Sequence, residues 1–72
     1  MNSFTQIIAL WPSSARLAED LGVVGGTVRA MKRRDSLPPE YWLHVVQSAQ
    51  RRNIPGVTLD ALARIAAEKG GA

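Results

Sequence analysis

Four basic side chains lie within six residues near the middle of the chain, with no acid among them: Arg29, Lys32, Arg33 and Arg34. A guanidinium group can donate two hydrogen bonds to the edge of guanine, and any of these cations can bind phosphate. Arg29 and Arg33 are four residues apart, so they share one face of a helix. The cluster predicts a surface for an anionic partner such as nucleic acid. A solvated pair of arginines that only improves solubility is the alternative.

Residues suited to catalysis or metal binding are scarce. The chain has no cysteine and a single histidine, His44, with no matching acidic cluster. Gly25 and Gly26 lack the following Lys-Ser or Lys-Thr of a phosphate-binding loop. We therefore expect no enzyme, no catalytic or metal-binding residue, no cofactor and no small-molecule substrate.

Length and charge limit the class of protein further. Seventy-two residues predict one domain, residues 1–72, with a small core that a second subunit would help to stabilise. The net charge of +3 favours anionic partners. The longest apolar run, Ile7 to Trp11, is too short to cross a bilayer, and no secretion signal is evident. Together with the absence of cysteine, this predicts a cytoplasmic protein that does not bind membranes.

The elements that must position the basic cluster are two short helices, because apolar residues recur at helical spacing on both sides of Gly22. They are Ala15, Leu17, Ala18 and Leu21 before it, and Val28 and Met31 after it. Gly22 suits the left-handed residue that ends a helix. Gly25 and Gly26 open the second helix, although a helical glycine costs about 1 kcal/mol relative to alanine. One explanation is that they are permissive turn residues. They are also explained by a close approach of bare backbone to a phosphate or base edge, and both explanations can hold together.

Seven residues at fixed spacing resemble the helix-turn-helix of phage Cro-like and repressor-like regulators: Leu17, Ala18, Leu21, Gly22, Val23, Val28 and Met31. Residues 37–42 extend the resemblance, which covers residues 4–50, since a Leu-Pro segment follows the recognition helix in such proteins. The resemblance implies a repressor that regulates transcription in a bacterial cell or a phage-infected host. Its partner would be double-stranded DNA, bound by a possible homodimer. The chain departs from the family in having Gly25 and Gly26 where Ser, Thr or Gln is usual.

The resemblance implies that exposed residues of the third helix meet the bases. The candidates for base contact are Val24, Gly25, Gly26, Thr27, Arg29, Ala30 and Arg33. Thr27 is equally suited to a hydrogen bond at the helix start. The candidates for phosphate contact are Arg16, Lys32 and Arg34, with Arg51 or Arg52 as further ones. Lys32 and Arg34 are also placed to favour the negative end of their helix.

Five short helices are predicted in all, which gives a compact all-α bundle with the helix-turn-helix as its second and third helices. Helix one runs from Phe4 to about Leu10, capped by Ser3. Ser13 or Ser14 caps helix two, which turns Glu19 and Asp20 outward. Helix four begins near Pro38 or Pro39 and ends near Arg51. Helix five runs from Leu59 to about Glu68, capped by Thr58, and Lys69 to Ala72 form a frayed tail.

Two apolar features leave alternatives open. Tyr41 and Trp42 suit core packing better than base stacking, because Val45 and Val46 follow at core spacing. The last helix carries an apolar stripe, Leu59, Leu62, Ala63 and Ala66 with Ile65 beside it, which either completes the core or contacts a second subunit. The alternative function is a helical protein-interaction module, an antitoxin or adaptor, that keeps the helix-turn-helix frame and binds its partner through this stripe.

Overall fold

A computed structural model of the chain describes residues 3–70. Those residues form five α-helices and one 3-10 turn at Pro39–Tyr41, with no β-strand among them. The helices are α1 (Phe4–Ile8), α2 (Ser14–Leu21), α3 (Gly25–Arg34), α4 (Trp42–Arg51) and α5 (Leu59–Gly70). The prediction of a compact all-α bundle of about five short helices is confirmed.

Three hydroxyl side chains begin helices, as the sequence predicts. Ser3 Oγ accepts a hydrogen bond from the Gln6 backbone N–H at 3.1 Å, and Ser13 Oγ accepts one from the Arg16 N–H at 3.2 Å. Thr58 Oγ1 does the same for the N–H of Ala61 at 3.0 Å. Each oxygen satisfies one of the backbone donors that a helix leaves free at its start.

Three helices end in the same way, with one residue in the left-handed region. These residues are Gly22 after α2, Asp35 after α3 and Asn53 beyond α4, with φ of 73°, 52° and 58°. The next residue in each case donates its N–H to the carbonyl five residues back, at 2.8 to 3.0 Å. A left-handed residue followed by this hydrogen bond is characteristic of the Schellman motif. The predicted role of Gly22 is confirmed.

Helix lengths differ from the prediction at three places. α1 ends at Ile8 rather than Leu10, because i→i+3 hydrogen bonds from the N–H groups of Leu10 and Trp11 tighten the chain there. Pro39 begins a helical turn as predicted, but of 3-10 type, and the α-helix starts at Trp42. α5 continues to Gly70, since Lys69 Nζ donates a hydrogen bond to the carbonyl of Asp35. Lys69 and Gly70 are therefore helical rather than frayed, and residues 71–72 lie outside the described residues.

All five helices contribute to one apolar core. α5 completes it through Leu62 and Ile65, which are 0% and 4% exposed. These two side chains are therefore not a free surface for a second subunit or another protein. Leu59 and Ala63 are exposed, contrary to the predicted stripe, because the side of α5 that carries Leu62 and Ile65 faces the core. Tyr41 and Trp42 are half-buried against the core, so the prediction that they pack there is confirmed.

A short chain of polar contacts runs through the interior. The Trp11 indole Nε1–H donates to Ser48 Oγ at 2.9 Å, and Ser48 Oγ donates to Asp20 Oδ2 at 2.5 Å. Arg52 Nε and Nη2 donate to the two oxygens of the same carboxylate at 2.6 and 3.1 Å. Ser48 is fully buried. The prediction that Asp20 faces outward is wrong, since its carboxylate joins α2 to the end of α4.

α3 lies against both α1 and α2. Residues 22–24 form a tight connection from α2, and the buried side chains of Val28 and Met31 anchor α3 on the core. Thr5 Oγ1 of α1 donates to the Lys32 carbonyl at 2.8 Å. The orientation of α3 is therefore fixed on its inner face and near its C-terminus, while its opposite face is open.

Candidate nucleic-acid interface

The open face of α3 is small and basic. Because Val28 and Met31 point inward, helical geometry places Gly26 and Arg33 at the centre of the outer face, with Arg29 and Ala30 beside them. Lys32 and Arg34 fall on opposite flanks of that face. Gly26 and the four basic residues are exposed, whereas Gly25, Thr27 and Ala30 are half-buried. Every predicted contact of the third helix is thus on its outer face or at the margins of that face.

None of the four cations of α3 has an ion-pair partner within residues 3–70. The ion pairs in that range join other residues: Arg16 to Glu19, Arg52 to Asp20, Arg64 to Asp60 and Lys69 to Asp35. Arg29, Lys32, Arg33 and Arg34 therefore present four positive charges that no neighbouring carboxylate neutralises. Like charges this close repel one another, and an external anion would relieve the repulsion.

Asp35 directly follows this cluster but is engaged elsewhere. Its Oδ1 accepts hydrogen bonds from the Thr5 N–H at 3.0 Å and from Thr5 Oγ1 at 3.3 Å, and Lys69 Nζ lies 3.7 Å from Oδ2. The backbone hydrogen bond from Thr5, helped by the charge of Lys69, lowers the pKa of Asp35. The carboxylate therefore stays ionised and serves α1 and α5.

The Arg29 side chain lies along the first turn of its own helix. A β-carbon built on Gly25 would stand 3.2 Å from Arg29 Nη1, and one on Gly26 would stand 3.7 Å from Nη2. Helical side chains lean toward the N-terminus, which brings the guanidinium over residues three and four positions earlier. The two glycines leave that space clear. A cation at the positive end of a helix is poorly placed on its own, so this position favours an added acceptor.

A groove of about 520 Å³ runs between α3 and the 3-10 turn. Its lining from the α3 side includes Val24, Thr27, Ala30 and Met31, and Tyr41 belongs to the opposite wall. Arg34 borders the groove, as does Glu40. The groove therefore places apolar groups directly beside the basic face of α3. Sequence reasoning missed it, because its opposite wall comes from a separate turn of the chain.

The other predicted phosphate contacts are placed differently from one another. Arg16 is exposed on α2 and lies 3.5 Å from Glu19, a weak surface pair. Arg51 is exposed, without an ion-pair partner in the described part of the chain. Arg52 is paired with Asp20, its Nε 2.6 Å from Oδ2, so it is less suited than Arg51 to the predicted phosphate contact. The Asp20–Arg52 pair had no signal in the sequence, since the two residues are 32 positions apart.

Among residues 3–70, no group of three His, Cys, Asp or Glu side chains is arranged to hold a metal ion. None of the helices described there is long and apolar enough to cross a membrane. No family model, curated protein or solved structure matches the chain significantly.

Proposed function

We propose that the chain is a sequence-specific regulator of transcription that binds double-stranded DNA by inserting α3 into the major groove. One observation carries this proposal. The four basic side chains of α3 are exposed and without ion-pair partners in the described structure, while four of the acids there pair with cations outside α3. DNA is the polyanion whose groove accepts a single α-helix.

The positions of the four cations on the outer face of α3 favour two different roles, base contact and phosphate contact. Arg29 and Arg33 border or occupy the middle of the face, where a helix in the major groove meets base edges. A guanidinium there can donate two hydrogen bonds to O6 and N7 of guanine. Lys32 and Arg34 lie on opposite flanks, where they suit the phosphates of the two strands. Gly26 has no side chain and would allow a close approach to the base edges.

From the size of α3 we infer that selective binding needs two copies of the protein. Its ten residues extend about 15 Å, roughly four or five base pairs. A site that short is not unique among the roughly million or more competing sites of a genome. We therefore propose two copies on an inverted repeat, with half-sites about 34 Å apart. The described part of the chain measures 32 × 24 × 19 Å, so adjacent copies fit that spacing.

Selection from a random duplex library at near-physiological salt tests the proposal. Wild type, Arg29→Ala and Arg64→Ala would be compared. Arg64 is the matched control, because it is an exposed arginine on α5 that pairs with Asp60. We expect wild type and Arg64→Ala to enrich the same palindromic motif, and Arg29→Ala to lose one position in each half of it.

Two results would contradict the proposal. If no protein enriches a motif and all three bind every duplex weakly at low salt, the basic face is only a general electrostatic attraction and the function is wrong. If the wild type enriches a motif but one copy binds a single half-site as tightly as two copies bind the repeat, the dimer model is wrong.

A further inference from the structure

We propose that the groove beside α3 receives the 5-methyl group of a pyrimidine, so that the protein reads methyls as well as guanines. The inference rests on the proposed DNA-binding function and adds a second kind of base contact to it. Its source is the groove lined by Val24, Thr27 and Ala30.

Val24 is an apolar residue that lies open to solvent. Its side chain is 73% exposed, the highest exposure among the large apolar side chains of residues 3–70 that lie open to solvent. It also precedes α3 as the capping residue, where its side chain makes no capping hydrogen bond. Ser, Thr, Asp or Asn would stabilise the helix start better than Val. An apolar residue at this place therefore contributes little to the isolated fold, and a contact outside the chain accounts for it better.

The residues around Val24 indicate what kind of group would contact it. Gly25 and Gly26 add no side chains, so the isopropyl group of Val24 stands next to the turn over which the Arg29 guanidinium lies. Thr27 and Ala30 continue the lining of the groove along α3, and the buried Met31 contributes to it. α3 therefore presents the methyl groups of Val24, Thr27 and Ala30 as a strip beside its guanidinium groups. Arg34 and Glu40 also line the groove.

Base-pair edges offer a direct match to these strips. In the major groove the standard bases expose hydrogen-bonding atoms and a single apolar group, the C5-methyl of thymine. 5-Methylcytosine presents the same group at the same ring position. A methyl seated against Val24 and Ala30 would lose its contact with water, whereas uracil or cytosine has only a hydrogen at C5 and would leave the strip in contact with water.

The test replaces single methyl groups in the duplex selected for the proposed function. Each thymine is exchanged in turn for deoxyuridine, and each cytosine for 5-methylcytosine, with affinities measured for wild type, Val24→Ser and Leu43→Ala. Leu43 is an exposed leucine on α4 outside the groove. Serine at position 24 suits the helix start, so Val24→Ser is expected to fold.

Each half-site should contain one position at which a single deoxyuridine weakens wild-type binding roughly fourfold, the effect of one buried methyl. If cytosine stands at that position instead, 5-methylcytosine should strengthen binding by a similar factor. Thymine and 5-methylcytosine are thereby distinguished as sources of the methyl. Leu43→Ala should behave like wild type, and Val24→Ser should bind methylated and unmethylated duplexes equally.

The inference is overturned if a motif is enriched and no methyl substitution changes wild-type affinity, or if Val24→Ser keeps the full discrimination. Those results leave the proposed function intact. If no motif is enriched at all, the proposed function fails and the inference fails with it.

Discussion

Nη1 of Arg29 lies 3.2 Å from the point where a β-carbon on Gly25 would stand. An alanine there is sterically tight but not impossible, because the end of an arginine side chain can move. Gly25 therefore permits a particular position of the Arg29 guanidinium, in addition to starting the helix. The two glycines at the beginning of α3 can be told apart experimentally on this basis.

Gly25→Ala and Gly26→Ala are each expected to stabilise the fold by up to about 1 kcal/mol, since alanine is the better helix former. Gly25→Ala should also weaken binding to the selected DNA by displacing Arg29, and this loss should vanish in an Arg29→Ala background. Gly26→Ala should weaken binding in both backgrounds, because its β-carbon would meet the DNA itself. Affinities of the three single and two double variants, beside wild type, check this. Strictly additive effects of Gly25→Ala and Arg29→Ala would contradict the proposed coupling.

Lys32 and Arg29 should differ in the way their loss changes DNA binding. Lys32→Ala removes a flank cation, so it should weaken binding to all duplexes and reduce the slope of log K against log salt by about 0.9 for each bound copy. Arg29→Ala should instead weaken the selected site much more than unrelated duplexes. Titrations at several salt concentrations with specific and unrelated duplexes measure both quantities. Equal loss on the two duplexes for both variants would remove the distinction between flank and central cations.

Ser48→Ala should destabilise the protein strongly for so small a change. Ser48 is fully buried, accepts a hydrogen bond from the Trp11 indole and donates one to Asp20. Its loss leaves the indole N–H without an acceptor, which costs about 1–3 kcal/mol. Urea unfolding measures this loss, with Ser36→Ala as the control because Ser36 is exposed. Equal stability of the two variants would mean that the buried chain of hydrogen bonds contributes nothing.

Acid should weaken the fold through Asp20. Hydrogen bonds from Arg52 and then Ser48 lower the pKa of its carboxyl from 3.8 to about 2, against the opposing effect of burial. As the pH falls, the unfolded chain takes up this proton before the folded chain does. The stabilisation is therefore complete above the unfolded pKa and is lost as the pH falls from about 5 to about 2, up to about 2 kcal/mol in all.

Two measurements check the acid prediction. Carboxyl carbon NMR should give Asp20 a midpoint near pH 2 in the wild type. The unfolding free energy of Asp20→Asn should fall less steeply than that of wild type over the same pH range. Asp35, whose pKa is also lowered, remains in both proteins and supplies the residual slope. A midpoint near pH 4 for Asp20 would show that Arg52 and Ser48 do not hold its charged form.

Features with local causes could be predicted from the sequence. A hydroxyl three residues before a backbone donor marks a helix start, so Ser3, Ser13 or Ser14, and Thr58 were identifiable as caps. Gly22 marked the end of α2 for a similarly local reason. The exposed basic face of α3 followed from the inward spacing of Val28 and Met31.

Features that depend on distant partners could not be predicted. The sequence predicts that Asp20 is a solvated acid on a helix surface. In the structure, Ser48 near the end of α4 and Arg52 just after it form hydrogen bonds with its carboxylate. Leu59 and Leu62 fit one apolar stripe equally well, and only the direction from which α4 packs decides which of them is buried. The α3 cations likewise lack an ion-pair partner because the Asp35 carboxylate contacts Thr5 and Lys69 instead.

The shared geometry at the ends of α2, α3 and α4 bears on how fast the chain folds. Gly22, Asp35 and Asn53 each reverse the chain through contacts with residues no more than five positions away. Stop signals this local require no distant segment to be in place, so each helix can end correctly before the core assembles. Helical bundles rich in local contacts fold in microseconds to milliseconds. A newly made chain would therefore form the α3 face without waiting for the second copy of the proposed dimer.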